Sequence, residues 1–133
     1  MYRIDATIKL PDTDAAGILF YSNYFRLAHE AYEEFLDNID FGLPYILSDA
    51  EILLLIAHAE ADYKSSLRLG DDYTIAIRVE KIGRTSFDLR YRFLDDTGEL
   101  AASLKTVHVS VSKETEKPVE LPDALKKGLA RYV

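Results

Sequence analysis

The feature that most constrains the fold is a single stretch with helical periodicity, from Ser22 to Asp37, in a chain whose other patterns are those of strands and turns. At about 100° per residue its apolar side chains cover one half of the helix surface. They are Tyr24, Phe25, Leu27, Ala28, Ala31, Tyr32, Phe35 and Leu36. The pattern predicts one amphipathic helix, with Ser22 or Asn23 as its N-cap.

Strand patterns lie on both sides of this helix. Tyr2–Leu10 alternates weakly between apolar and polar residues, and Pro11 ends it. After a loop with Gly42 and Pro44, four strand-like segments follow, at residues 52–65, 72–82, 86–95 and 100–112. Short turns at 83–84 and 95–98 predict that the last three segments form an antiparallel meander. Pro122 opens a short C-terminal helix.

The order of these elements predicts an α+β fold in one domain that spans residues 1–133. One amphipathic helix has only one sheet to cover, so we expect it to lie across that sheet. The sheet's other face then remains uncovered, and the segment Ile52–Ala57 is an apolar edge strand. Both features predict a homodimer.

Composition excludes several classes of protein. The chain has no cysteine, which removes disulfide scaffolds, thiolate nucleophiles and thiolate metal sites. Its 16 basic and 23 acidic residues give a net charge of −7, so a nucleic-acid partner is not expected. Its apolar runs are far shorter than a membrane span needs, and the N-terminus lacks the pattern of a secretory signal. We therefore expect a cytoplasmic protein without a membrane span.

The three histidines are weak candidates for chemistry. His29 and Glu33 lie one helical turn apart, but no third ligand is evident, so the spacing favours a surface salt link and no metal site is expected. His58 and His108 fall within predicted strands, where a hydrogen-bonded core or interface histidine is the commoner outcome. His58 is kept as a minor candidate for substrate binding.

The segment between the first strand and the helix is a stronger candidate. It carries Asp12, Asp14 and Gly17 directly before the helix. Free N–H groups at a helix start can hold an oxyanion, and a nearby carboxylate can act as a nucleophile or base. Such a site suits acyl chemistry. The alternative from spacing alone is that both aspartates are turn or capping residues and that Gly17 supplies a turn.

The run Asp-Thr-Asp-Ala-Ala-Gly-Ile-Leu-Phe-Tyr-Ser-Asn-Tyr-Phe-Arg, from Asp12 to Arg26, resembles the signature of the 4-hydroxybenzoyl-CoA thioesterase family, which has the hotdog fold. The likeness continues through Ala59–Tyr63 and Leu67–Asp72 and covers nearly the whole chain. It implies a long central helix wrapped by a five-stranded antiparallel sheet. It also implies paired subunits with active sites at their interface, in dimers or dimers of dimers.

The same resemblance implies an acyl-CoA thioesterase that hydrolyses an aromatic or fatty acyl thioester to the free acid and coenzyme A. By position, Asp14 is the carboxylate that acts as nucleophile or general base. The backbone N–H of Tyr21 polarises the thioester oxygen, and Gly17 permits close approach of the chain. Asn23 and Tyr24 help to shape the acyl pocket, with helix cap and core aromatic as their alternative roles.

Arg84 matches a position where relatives meet the phosphates of coenzyme A, with an exposed turn arginine as the alternative. Another hotdog branch uses a helix glutamate, so Glu30, Glu33 or Glu34 is an alternative to Asp14. No cofactor is expected, because coenzyme A is part of the substrate. The alternative function is a non-catalytic acyl-CoA-binding module. A dehydratase is disfavoured, because no histidine lies between residues 11 and 25.

Overall fold

The computed structural model describes residues 1–133. Its helices and strands follow in the order β1 (Tyr2–Thr7), α1 (Asn23–Asn38), α2 (Leu43–Ser48), β2 (Ile52–Tyr63), β3 (Asp72–Ile82), β4 (Ser86–Leu94), β5 (Leu100–Ser112) and α3 (Asp123–Ala130). A 3-10 turn at Leu10–Asp12 follows β1.

The five strands form one antiparallel sheet in the order β1-β3-β4-β5-β2. Short turns join β3, β4 and β5, so these three strands form the predicted meander. Strand β2 precedes these three strands in sequence and pairs with the far side of β5. The α+β prediction with five antiparallel strands is confirmed, and β1 and β2 are the two edge strands.

Helix α1 packs its apolar half on the sheet. All the residues of the predicted apolar set are buried except Phe25, which is half-buried. Phe35 and Leu36 are fully inaccessible, and Phe35 contacts Tyr2 of β1 and Tyr132 after α3. The outer half of α1 carries acidic side chains. The helices are all too short or too polar to cross a membrane.

Several predicted bounds differ from the structure, those of α1 and β4 by only one residue. β1 ends at Thr7 rather than Leu10, because its pairing with β3 ends at Asp72, the first residue of that strand, and the chain then enters the 3-10 turn. β2 ends at Tyr63 rather than Ser65. The short helix α2 was not predicted, because six residues are too few to display a helical period.

The outer edge of β2 has no strand beside it. Its pairing partner is β5 on the inner side, and most of its residues are exposed. Leu55 and Ile56 are each 49% exposed, which leaves apolar side chains and unpaired backbone groups on the same edge. An edge of this length and composition is suited to pairing with another strand.

Candidate active site

The chain before α1 forms a tight turn around the Asp14 carboxylate. Oδ1 of Asp14 accepts hydrogen bonds from the N–H groups of Ala16, at 2.8 Å, and Ile18, at 3.3 Å. Gly17 has a φ of 74°, which a residue without a side chain adopts at least cost. The turn therefore holds one oxygen of Asp14, while Oδ2 has no partner within the protein and remains free to react.

Two backbone donors are unused where this turn meets α1. The N–H groups of Tyr21 and Ser22 donate to no acceptor in the protein, whereas those of the next three residues bond within the first helical turn. Ser22 occupies the N-cap position, as predicted, but its side chain makes no capping hydrogen bond. The uncapped start of α1 can therefore accept a negatively charged oxygen.

Asp12 anchors this region to the helix. It is 5% exposed, its Oδ2 accepts the N–H of Lys9 at 2.8 Å, and its Oδ1 accepts a hydrogen bond from the guanidinium of Arg26. That ion pair raises the pKa of Arg26 above its ordinary value. Asn23 Nδ2 donates to the carbonyl of Asp12 at 2.9 Å. Asp12 is thus the capping residue that the spacing allowed, and Asn23 joins loop to helix rather than capping α1.

Tyr63, at the end of β2, closes the other side of the site. Its hydroxyl donates to the carbonyl of Tyr21 at 3.3 Å, and its ring lies 5.1 Å from that of Tyr24. Burial and the neighbouring Tyr63 raise the pKa of Tyr24 above its usual range, so both phenols stay neutral. A depression of about 280 Å³ lies here, lined mainly by apolar residues and by Lys64.

His58 and Arg84 lie apart from this turn. His58 is exposed on β2 with Nε2 3.2 Å from Glu60 Oε1, and so lies at the open edge rather than in the core. Arg84 lies in the β3–β4 turn, 3.7 Å from Glu120. The Asp14 turn lies near the start of β3 and Arg84 follows the end of β3, so the two are separated by the length of that strand, about 30 Å.

The other two histidines have different surroundings. His29 Nε2 lies 3.9 Å from Glu33 Oε1 on the surface of α1, in the predicted salt link. His108 is 1% exposed and its Nε2 lies 2.7 Å from Thr106 Oγ1, so it is the predicted core histidine. Burial, and then the charge of His29, lower the pKa of His108 to about 3, so it is neutral.

Sequence reasoning missed Arg26 and the Tyr63 hydroxyl. Arg26 lies on the polar half of α1, and nothing in the spacing identifies Asp12 as its partner, fourteen residues earlier. Tyr63 lies inside the stretch that carried the family resemblance, but its contact with Tyr21 spans 42 residues. Neither contact leaves a trace in the periodicity of the sequence, because both depend on how α1 meets the loop and the sheet.

Known sequences that are similar to this chain identify its family. The family model of the thioesterase-like superfamily matches residues 8–129. A 1,4-dihydroxy-2-naphthoyl-CoA hydrolase from Rippkaea orientalis is 32% identical over 125 residues, which cover 92% of this chain and 91% of that protein. A protein with the same name from Prochlorococcus marinus is 35% identical over 122 residues, which cover 86% of this chain and 78% of that protein.

Solved structures agree with the sequence matches. A 1,4-dihydroxy-2-naphthoyl-CoA thioesterase from Synechocystis superposes with a TM-score of 0.91 at 24% identity, covering 97% of this chain and 95% of that one. A gentisyl-coenzyme A thioesterase superposes with a TM-score of 0.84 at 27% identity, covering 97% and 99%. The hotdog fold implied by the resemblance is confirmed. With its sheet-wrapped helix and its match along nearly the whole chain, this protein belongs to the thioesterase-like superfamily of hotdog proteins.

Proposed function

We propose that this protein hydrolyses an aromatic acyl-CoA thioester at the start of α1, with Asp14 as the reacting carboxylate and the Tyr21 N–H as the oxyanion donor. The observation that carries this proposal is a free carboxylate oxygen in the same short segment as two unused N–H groups at a helix start. These are the two elements that acyl transfer requires.

The class of reaction follows from the similar proteins. The chain is an acyl-CoA thioesterase, since the relatives that it matches over most of their length are named hydrolases of a CoA thioester. The aromatic acyl group belongs to the proposal. It is supported by the names of those relatives, and by the gentisyl-CoA thioesterase among the structures.

In the proposed reaction, the thioester carbonyl oxygen lies against the Tyr21 N–H at the positive end of α1. Asp14 Oδ2 takes a proton from a water molecule whose oxygen attacks the carbonyl carbon. The carbon–sulfur bond then breaks, the proton passes to the departing coenzyme A thiolate, and the free acid remains. Alternatively, Oδ2 itself attacks, coenzyme A leaves, and water hydrolyses the mixed anhydride.

An isotope experiment separates these two routes. In a single turnover in H₂¹⁸O, attack by Asp14 on the thioester is followed by hydrolysis of the anhydride, which can label the Asp14 carboxylate. Direct attack by water labels only the released acid. Mass spectrometry of the peptide containing Asp14 distinguishes the two results.

A thiol-release assay tests the function itself. Purified protein is assayed with benzoyl-, hydroxybenzoyl-, naphthoyl-, short-chain and long-chain acyl-CoA. We expect turnover that is fastest on the aromatic members. Turnover of fatty acyl-CoA alone would contradict the proposed aromatic substrate, and full turnover by Asp14→Asn would contradict the proposed site.

We further propose a homodimer that joins the outer edges of two β2 strands. The exposed apolar residues and unpaired backbone of that edge support it. Arg84 could then reach coenzyme A only across the subunit boundary, because it is remote from Asp14 within one chain. Sedimentation should give a dimer or a dimer of dimers for the native protein and a smaller species for Ile56→Lys. A cytoplasmic location, where CoA thioesters are made, is part of this proposal.

A further inference from the structure

A second cavity lies one helical turn beyond the proposed oxyanion donor. Its volume is about 230 Å³, and its lining is mostly apolar. Phe25, Ala28 and His29 of α1 form one wall, and Ile56 and Ala59 of β2 form another. A dry cavity of roughly 150 Å³ already holds benzene, so this space is large enough for an aromatic ring.

The sheet contributes a polar group to this cavity. Tyr91 of β4 and Thr106 of β5 complete its lining, and their hydroxyl oxygens lie 2.8 Å apart. Thr106 Oγ1 lies in turn 2.7 Å from Nε2 of His108. The His108 ring stacks between Tyr32 and Phe87, with ring centroids at 4.3 and 5.0 Å. Three buried polar groups therefore form one chain that ends at the cavity.

This series of hydrogen bonds from His108 to Tyr91 leaves one donor or acceptor position unused at the cavity. The neutral His108 ring carries a single N–H, and its Nδ1 has no partner. A proton on Nε2 gives the order His108 to Thr106 to Tyr91, because an orphaned N–H is costlier to bury than a bare nitrogen. The Tyr91 proton then has no acceptor in the protein. With the proton on Nδ1, Tyr91 donates to Thr106 and Thr106 donates to His108, so the Tyr91 oxygen keeps lone pairs that can accept a hydrogen bond. In both cases a ligand can form a hydrogen bond with the Tyr91 hydroxyl.

The cavity is aligned with the reaction site along one face of α1. Tyr21 directly precedes the N-cap of α1, and within α1 residues four apart share a face, so Phe25 and then His29 follow Tyr21 along the helix. A rise of 1.5 Å per residue puts them about 6 and about 12 Å from the Tyr21 position. An acyl group whose carbonyl meets the Tyr21 N–H, and which extends along α1, therefore reaches the cavity with its ring.

We propose that the Tyr91 and Thr106 hydroxyls, held in place by His108, bind a hydroxyl group on the acyl ring and select hydroxylated aromatic acyl-CoA over the unsubstituted analogue. This inference rests on the proposed function, since it assigns the ring end of the same substrate. Tyr91 and Thr106 contact the substrate, and His108 is a positioning residue. A buried hydroxyl pair discriminates because an unsubstituted ring leaves its remaining hydrogen-bonding position unfilled.

The test measures kcat/KM on matched substrates, 4-hydroxybenzoyl-CoA against benzoyl-CoA and 1,4-dihydroxy-2-naphthoyl-CoA against 2-naphthoyl-CoA. We expect the native protein to prefer a hydroxylated member by about 5- to 150-fold. Tyr91→Phe, Thr106→Val and His108→Phe should lose that preference, because kcat/KM falls more for the hydroxylated member of each pair than for the unsubstituted one. Thr106→Ser, which retains the hydroxyl, should keep the preference.

Tyr73→Phe is the matched control, because it removes the hydroxyl of another largely buried tyrosine of the sheet that lies outside this cavity. Its substrate preference should equal that of the native protein. The inference is overturned if the native protein has no preference, if the Tyr91 and Thr106 variants slow both members of a pair equally, or if Tyr73→Phe has the effect of Tyr91→Phe.

Binding separates this inference from the proposed function. Phenacyl-CoA and 4-hydroxyphenacyl-CoA cannot be hydrolysed, and calorimetry measures their affinities directly. If no thioester is turned over, the proposed function fails. Tighter binding of the hydroxylated analogue that Tyr91→Phe abolishes would still support the inference, whereas equal binding of the two analogues would overturn it.

Discussion

Two turns of this protein share the same pattern of backbone hydrogen bonds to an aspartate but adjoin different parts of the fold. In the turn before α1, Asp14 Oδ1 accepts the N–H groups two and four residues later. In the β4–β5 hairpin, Asp95 Oδ1 accepts those of Thr97 and Glu99 in the same way, at 2.9 and 3.0 Å. Each turn has a glycine three residues after the aspartate, with φ of 74° at Gly17 and 86° at Gly98.

The difference lies in what each turn adjoins. The hairpin turn connects two strands and projects from the sheet, so Asp95 only shapes a loop. The Asp14 turn leads into α1, whose first N–H groups are unused, and lies near the aromatic depression at Tyr24 and Tyr63. The turn thus presents a carboxylate, and the neighbouring helix start supplies the group that makes the carboxylate useful for acyl chemistry.

The largest expected effect separates the two aspartates by activity. Asp14→Asn keeps the Oδ1 acceptor but removes the charge, so kcat should fall by about 10³- to 10⁴-fold. Asp95→Asn should leave kcat unchanged. Thiol release under saturating substrate measures both, and urea unfolding checks that both variants stay folded. Equal losses in the two variants would mean that the turn, rather than its location, determines activity.

The second expected effect concerns Asp12, which anchors the Asp14 turn to α1 and has no counterpart at the hairpin turn. Asp12→Asn weakens the bonds to Lys9 and Arg26 and should cost about 2 kcal/mol of unfolding free energy. This figure is below that of a fully buried pair, because the Arg26 side chain is 44% exposed. Urea unfolding measures the loss.

Asp12→Asn should lower kcat far less than Asp14→Asn, since Asp12 has no free oxygen directed at substrate. Arg26→Lys provides the matched comparison on the other side of the ion pair. A stability unchanged by both substitutions would show that the anchor contributes nothing to holding the loop.

Most of the fold was predictable because the helical period and the strand alternation occupy different segments of the sequence. The 3.6-residue period of α1 and the alternation of β3 and β4 are local signals, and their turns carry glycine. The pairing of β2 with β5 has no local signal, because β3 and β4 lie between them in sequence, and it was not predicted. Phe25 belonged to the apolar half of α1, yet it faces a cavity, because the sheet does not fill the space beside it.

The site was predictable only in part, for a reason that the two turns illustrate. Asp14 and Asp95 are both followed by two residues and a glycine, so the local sequence does not distinguish them. The resemblance directed attention to Asp14, and the start of α1 supplies the physical distinction. Tyr91 and Thr106 were not predicted, because they meet across two strands at a separation of fifteen residues.

The third expected effect compares the two glycines. A Cβ at Gly17 or Gly98 meets no atom within 4 Å, so alanine at either position is opposed only by the positive φ. Each substitution should cost about 1 kcal/mol in urea unfolding. Gly17→Ala should also lower kcat/KM, because it shifts the Asp14 carboxylate, whereas Gly98→Ala should not. Equal kcat/KM values in the two variants would show that Gly17 does not contribute to the reaction.

The smallest expected effect is a pH dependence at the hairpin turn. The hydrogen bond from the Thr97 hydroxyl, and then those of the backbone, hold the pKa of Asp95 below its ordinary value. The unfolded chain therefore binds this proton more readily than the folded protein does. The stability contributed by Asp95 is fully present above about pH 5 and is lost as pH falls from about 4 through the lowered folded pKa.

Carbon-detected NMR of the Asp95 carboxyl gives its folded pKa directly, and urea unfolding of the native protein and Asp95→Asn gives the linked change in stability. The difference in unfolding free energy between the two should be constant near neutral pH and shrink below about pH 4. Thr97→Val removes the hydroxyl donor and should move the pKa of Asp95 back toward its ordinary value. An Asp95 pKa that is unaltered in Thr97→Val would mean that the backbone donors alone stabilise the charge, and would contradict the role assigned to the Thr97 hydroxyl.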